Sequence, residues 1–211
     1  MARDSSGRGT STSAAWRDFA AEPLPPILRG ALACFVEHGY HGTTIRQLAA
    51  ASGLSVPGLY HHYESKQALL VAICQAAMDD LRARSEAALA EAGDPVERRL
   101  DLLVECLVLF HAHRRELAFI ASAEIRGLQA GAREAHIAAR DRQQRLMDAV
   151  VEDGVVQGLF STPSPREVSR AVVTMCTGVA QWYRVGGALS PGELAQRYCG
   201  MVRMTVGAPV V

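Results

Sequence analysis

The sequence predicts an all-α protein: an N-terminal three-helix unit containing a helix-turn-helix, followed by a larger helical domain. Three observations carry this. Apolar residues recur at i, i+3 and i+4 along most of the chain. Gly, Pro, Ser and Asp punctuate that pattern at intervals suited to helix ends. No segment shows the period-two alternation of a half-buried strand, and no internal repeat is present.

Residues 1–22 are rich in Ser, Thr, Gly, Ala and Arg without a period, and read as a mostly disordered tail. Arg3, Arg8 and Arg17 are candidates for an arm entering a minor groove, against the plainer reading of a solvated tail. Pro23, Pro25 and Pro26 end the tail and start a helix that turns Ile27, Leu28, Ala31, Leu32 and Phe35 inward and stops at Gly39. Residues 43–66 then read TTIRQLAAASGLSVPGLYHHYESK. Thr44 is a candidate cap for a short helix with Ile45, Leu48 and Ala49 on one face, where small Ala49 admits a close crossing. Gly53 suits a left-handed residue after that helix, and Leu54 tucks inward. Ser55 is positioned to cap the next helix, Pro57 falls in its first turn, and Leu59 returns to the shared core. Two short helices joined this way cross steeply, leaving the second free to enter a DNA major groove.

From Ser65 the expected helices run over about 65–91, 95–113, 114–127, 131–159, 165–185 and 191–206. The fifth of the chain carries Leu100, Leu103, Val104, Leu107 and Phe110 on its inner face. Breaks are expected at Gly154, Gly158, Thr162–Pro165 and Gly186-Gly187. The division is a tail over 1–22, a DNA-binding unit over 23–70 and a ligand-binding and dimerisation domain over 71–211.

Bulk properties narrow the function. The 211 residues are 49% hydrophobic and 21% charged, with no apolar run long enough for a membrane span and no signal-peptide pattern, so the expectation is a soluble cytoplasmic protein. Cysteines 34, 74, 106, 176 and 199 are scattered, with no C-x-x-C pair, which argues for reduced thiols over a disulfide framework or zinc knuckle. Net charge is zero, and residues 23–75 hold Arg29, Arg46 and Lys66 against Glu37 and Glu64, a net of only +1. Electrostatic capture of DNA is therefore local and modest, with His38, His41, His61 and His62 adding a pH-sensitive component. An enzyme is the weakest class: His111-x-His113 with Glu116 lacks a second ligand pair, and neither G-x-S-x-G nor a phosphate loop occurs. No cofactor or metal is expected.

The joint pattern Gly39-Tyr40, Thr43-Thr44, Ile45-x-x-Leu48-Ala49, Gly53-x-Ser55, Leu59-Tyr60-x-His62-Tyr63 and Lys66 resembles the DNA-binding domain of the TetR family of transcriptional regulators over about residues 24–75. The segment Gln181-Trp182-Tyr183-Arg184-x-Gly186-Gly187-x-Leu189-Ser190-Pro191 looks like the C-terminal region of family members that sense acyl-CoA thioesters. The resemblance implies a homodimer paired through the last two helices, a double-stranded DNA operator, and repression relieved by a small-molecule effector. Val56, Pro57 and Gly58 depart from the family pattern: the proline stiffens the recognition helix and the glycine removes a base-reading side chain, shifting weight to backbone approach and DNA shape.

Within that frame Arg46 is expected to touch a phosphate or a guanine edge, Tyr60, His61 and His62 the backbone, and Lys66 a phosphate, while Thr44 and Ser55 cap and contact phosphate together. Each also fits an ordinary surface role, and Tyr63 fits the core. For the effector, Cys106, Phe110, His113, Phe119, Ile120 and Glu124 cluster across the bend between two helices, with Met147, Val150 and Val151 closing the wall. A filled core is the competing reading for each. Trp182 and Arg184 fit either a rim for a polar head group or the dimer seam. The last two helices carry apolar residues on more than one face, around Gly178, which suggests self-pairing. The alternative reading is a DNA-bound regulator without a small-molecule ligand, controlled by a protein partner or by cysteine oxidation.

Overall fold

The computed structural model describes residues 12–208, and the expectations for Arg3 and Arg8 lie outside them. A short 3-10 turn, Thr12–Arg17, precedes ten α-helices among the described residues: α1 Pro26–Gly42, α2 Ile45–Ala51, α3 Val56–His62, α4 Lys66–Ala92, α5 Val96–His113, α6 Arg115–Ala123, α7 Ala130–Val156, α8 Pro165–Thr177, α9 Val179–Trp182 and α10 Pro191–Thr205. No described residue forms a strand, and no described helix is long and apolar enough to cross a membrane.

Helices α1 to α3 enclose a small core of Leu28, Phe35, Leu48, Ala49 and Leu59, closed by Leu69, Leu70 and Ile73 of α4. Gly30 permits the tight α1–α2 crossing, since a Cβ there would lie 2.6 Å from the Ala51 carbonyl oxygen. Gly39 ends the regular part of α1 at φ 69°, and Gly53 takes φ 68° in the turn, both costly for a residue with a side chain. Thr43 is buried and donates its hydroxyl to the carbonyls of Cys34 (3.1 Å) and Gly39 (2.7 Å), closing the exit from α1.

Helix α4 runs unbroken past residue 70. Its first half, through Ala77, belongs to the small core, and Leu81 and Ala88 belong to the large one. That second core centres on α5, whose Leu100, Leu103, Val104, Leu107 and Val108 meet α4, α7, α8 and α10. Helix α6 faces both ways. Leu117, Ile120 and Ala121 pack in the small core, while Ala118 packs in the large one.

Three expectations need correction. Residues 12–22 are not a free tail. Trp16 is only 2% exposed and donates its indole N–H to Glu91 (2.6 Å), while Arg17 pairs with Glu91 (2.9 Å) and Glu105 (2.7 Å). Arg84 holds the carbonyls of Trp16 (2.6 Å) and Asp18 (2.8 Å), Phe19 stacks on His113 (4.5 Å, 11°), and Arg114 reaches Ala21 O (2.5 Å). Arg17 is thus committed to carboxylates inside the protein. Second, α7 passes Gly154 without a break. Glycine is required there because a Cβ would overlap the Phe160 ring at 2.0 Å. Third, the expected helix over 165–185 breaks near Gly178 into α8 and the single turn α9.

Candidate DNA-binding face and effector cavity

The candidate DNA-facing surface is built by caps. Thr44 accepts the Gln47 N–H (3.3 Å) while the Gln47 side chain accepts the Thr44 N–H (2.8 Å), a reciprocal capping box that sets where α2 begins. Ser55 caps α3 from one side only, accepting the Gly58 N–H (3.1 Å), with Pro57 in the first turn. Leu59 is buried, so the helix presents its other side: Pro57, Tyr60, His61 and His62 are exposed, with Tyr60 at 47%. Arg46 on α2 is exposed beside them. Val56 and Gly58 are half-buried, and Val56 packs on the small core.

Lys66 sits differently from its neighbours in the motif. Its ammonium donates to the carbonyls of Tyr40 (2.7 Å) and Thr43 (2.9 Å) and lies 4.4 Å from the centre of the Tyr40 ring. It clamps the end of α1 to the start of α4. A cation at a helix C-terminus answers the unpaired carbonyls there. Tyr40 is held further by a hydrogen bond from its own N–H to Glu124 (3.1 Å) and by its hydroxyl on the Gln67 amide (2.9 Å). Glu124, expected in the ligand site, is therefore a latch between α6 and α1.

A cavity of about 560 Å³ opens among α4 to α8. Its apolar walls are Ala77, Met78 and Leu81 from α4, Phe110 from α5, and Ala118 and Ala121 from α6. The polar lining comes from His111, Ser122, Gln181 and residues of α7 and α8, with Gln143 well buried and Arg140, Asp141 and Arg170 exposed. His111 is 5% exposed and its Nδ1 lies 2.7 Å from Leu107 O, so that nitrogen carries the hydrogen; burial pushes its pKa down to about 4. His136 bridges α7 to α6 through Ala121 O (2.8 Å), and burial lowers its pKa as well.

Of the residues expected to bind the effector, the structure brings only Phe110 to this cavity. Cys106, Met147 and Val151 fill the large core, and Ile120 fills the small one. They are apolar residues on inward helix faces, and close packing consumed them before a cavity could use them. Phe119 is 39% exposed, on the side of α6 away from both cores. His113 and Arg184 line a separate depression with Arg114, Arg115 and Leu24. Trp182 is 53% exposed, while Tyr183 turns inward and hydrogen-bonds Leu189 O (3.0 Å). His111 and His113 do not converge: one is buried and the other lies on Phe19. Among the described residues no three His, Cys, Asp or Glu side chains are grouped to hold a metal ion. His111, Gln143, Arg140 and Arg170 were missed. On α7 the signal existed in Gln143, a polar residue at the inward spacing between Ala139 and Met147, but that spacing alone does not show which gap stays open.

The family model described as bacterial regulatory proteins, tetR family, matches residues 27–73, and one described as tetracyclin repressor-like, C-terminal domain, matches residues 92–206. The transcriptional repressor KstR2 of Mycobacterium tuberculosis is 29% identical over 178 residues, covering 83% of this chain and 88% of that protein. PfmR of Thermus thermophilus, a TetR family transcriptional regulator, superimposes with a TM-score of 0.77 at 32% identity over 83% of this chain and 96% of its own. AibR, solved in complex with isovaleryl coenzyme A and operator DNA, gives a TM-score of 0.78 at 25% identity over 89% of this chain and 100% of its own.

Proposed function

The chain belongs to the TetR family of transcriptional regulators, and from that premise we propose that it is a homodimeric repressor released from its operator by a small molecule bound in the α4–α8 cavity. Its curated relatives are DNA-binding repressors. The observation that carries the ligand-responsive reading is the sharing of α6. Ala118 and Ala121 line the cavity, Leu117 and Ile120 sit in the core under the DNA-binding helices, and Glu124 just beyond α6 holds the Tyr40 N–H. A ligand that displaces α6 pulls on the end of α1 and on the turn that orients α2 and α3. Release then equals the ligand's differential affinity for the two arrangements, and no more.

The effector class is an acyl-CoA thioester, with the acyl chain against Met78, Leu81 and Phe110 and the phosphate-bearing head at Arg140 and Arg170. This moves the head group from Arg184, which lies at the other depression. The AibR complex with isovaleryl coenzyme A supports the class. Dimerisation uses α8 and α10, where Met201 (37%) and Met204 (65%) remain exposed on the outer face of α10. Control by cysteine oxidation has little support: burial pushes the thiols of Cys74, Cys106 and Cys199 up to about 12 and raises that of Cys176, so the reactive thiolate is scarce. An acyl-CoA panel titrated against protein bound to fluorescent DNA, with free coenzyme A as control, tests the reading by anisotropy. Release by thioesters alone supports it, and no release by any member discards the thioester class.

A further inference from the structure

Three buried polar side chains line the cavity, His111, His136 and Gln143; His136 is tied through Nε2 to Ala121 O (2.8 Å), and the other two each present an acceptor without a partner. His111 spends its only hydrogen on Leu107 O at 2.7 Å, so the other ring nitrogen, Nε2, is a bare lone pair with no partner in the protein. Burial holds the ring neutral at physiological pH. Gln143 is 6% exposed and gives one of its two amide N–H groups to Ser85 Oγ (2.8 Å); its amide oxygen is buried and has no partner. Unsatisfied buried acceptors are costly, and a native structure keeps them where something else supplies the donor. The cations of the lining, Arg140 and Arg170, stand at the exposed side, with Asp141 between them in charge.

We propose that the cavity selects a ligand whose buried end is neutral and donates a hydrogen bond, a hydroxyl group on an apolar chain, with any negative charge carried at the opposite end over Arg140 and Arg170. This rests on the proposed effector class and narrows it to hydroxyacyl thioesters. A plain alkyl end leaves both acceptors unsatisfied. A carboxylate end is worse, because it brings a desolvated charge to two lone pairs with no buried cation beside them.

The test uses the full-length protein and acyl-CoA probes matched in length, from butanoyl to decanoyl, ending in a hydroxyl, a methyl or a carboxylate. Binding is read by calorimetry and DNA release by anisotropy. At the length that reaches His111, the hydroxyl-terminated probe is expected to bind about tenfold tighter than its methyl counterpart, with the carboxylate weakest. His111→Phe should erase the preference, so that hydroxyl and methyl ends bind alike. A hydroxyl has one hydrogen to give; if it goes to the Gln143 amide oxygen, or if His111→Phe melts early, Gln143→Leu is the variant that should erase the preference. Equal binding of the three ends, or preference for the carboxylate, overturns the inference and leaves the repressor reading intact. Absence of binding and release with every probe removes the thioester class and the inference with it.

Discussion

Replacing Lys66 by methionine separates two roles that the motif allows, a phosphate contact and an internal clamp. The structure puts the ammonium on Tyr40 O and Thr43 O at 2.7 and 2.9 Å, half-buried, over the Tyr40 ring. Hydrogen bonds to a charged group contribute about 1.5–3 kcal/mol each, and the ring contact about 0.5–1 kcal/mol. Water reaches the two carbonyls once the ammonium is gone, so the net loss is about 2–4 kcal/mol, short of the sum. At about 2–4 °C per kcal/mol for a chain of this size, Tm should fall by about 4–16 °C. DNA affinity should fall too, because the clamp fixes the junction from which α2 leaves. The dependence of log Kd on log salt, measured by anisotropy on a DNA fragment selected by the wild type, should stay unchanged. A phosphate contact behaves in the opposite way: its loss lowers that slope by about 0.9 and leaves Tm in place. An unaltered Tm with a reduced slope would refute the clamp.

Other outcomes follow from the same contacts. Trp16→Ala should lower global stability by about 3–5 kcal/mol in chemical denaturation, because it empties a buried site on α4 and α5; a change below about 0.5 kcal/mol would mean that residues 12–22 detach before the domain unfolds. Glu124→Ala removes the latch on the Tyr40 N–H and should weaken the coupling between effector and DNA, measured as the ratio of DNA affinities with and without ligand, more than it weakens ligand affinity itself. His111 has a folded pKa of about 4 against an ordinary value near 6.5. The unfolded chain therefore binds the extra proton first, and this contribution, about 3 kcal/mol, is intact above pH ~6.5 and lost as pH falls toward 4. His113 and His136 are shifted the same way, so His111→Phe should flatten the acid limb of a stability–pH curve without abolishing it. Met201→Asp with Met204→Asp should convert a sedimenting dimer to monomer if α10 forms the seam, and a wild-type monomer at micromolar concentration would dispose of the seam altogether.

Local signals were enough for the sequence to determine the DNA-binding unit. Thr44 and Ser55 announce their helices as caps, Gly39 and Gly53 mark backbone turns that only glycine makes cheaply, and Leu48, Ala49 and Leu59 share a core across that turn. Each of those decisions involves residues a few positions apart, so spacing alone carries them. The second domain is different in kind. Its helices are apolar on several faces, and which faces meet depends on distant partners, as with Gln143 on Ser85, 58 positions away, and Arg203 on Asp101, 102 positions away. Composition therefore showed that a core existed but not where it fails to fill. Cys106, Met147 and Val151 look like a cavity wall in sequence and are solid packing in space. Only the tertiary structure decided that Lys66 points inward, that Trp16 and Arg17 bind the helical domain, and that His111 and Gln143 border open space. A side chain's partners across the fold settle which of its possible contacts it makes, and its neighbours in the chain carry no record of them.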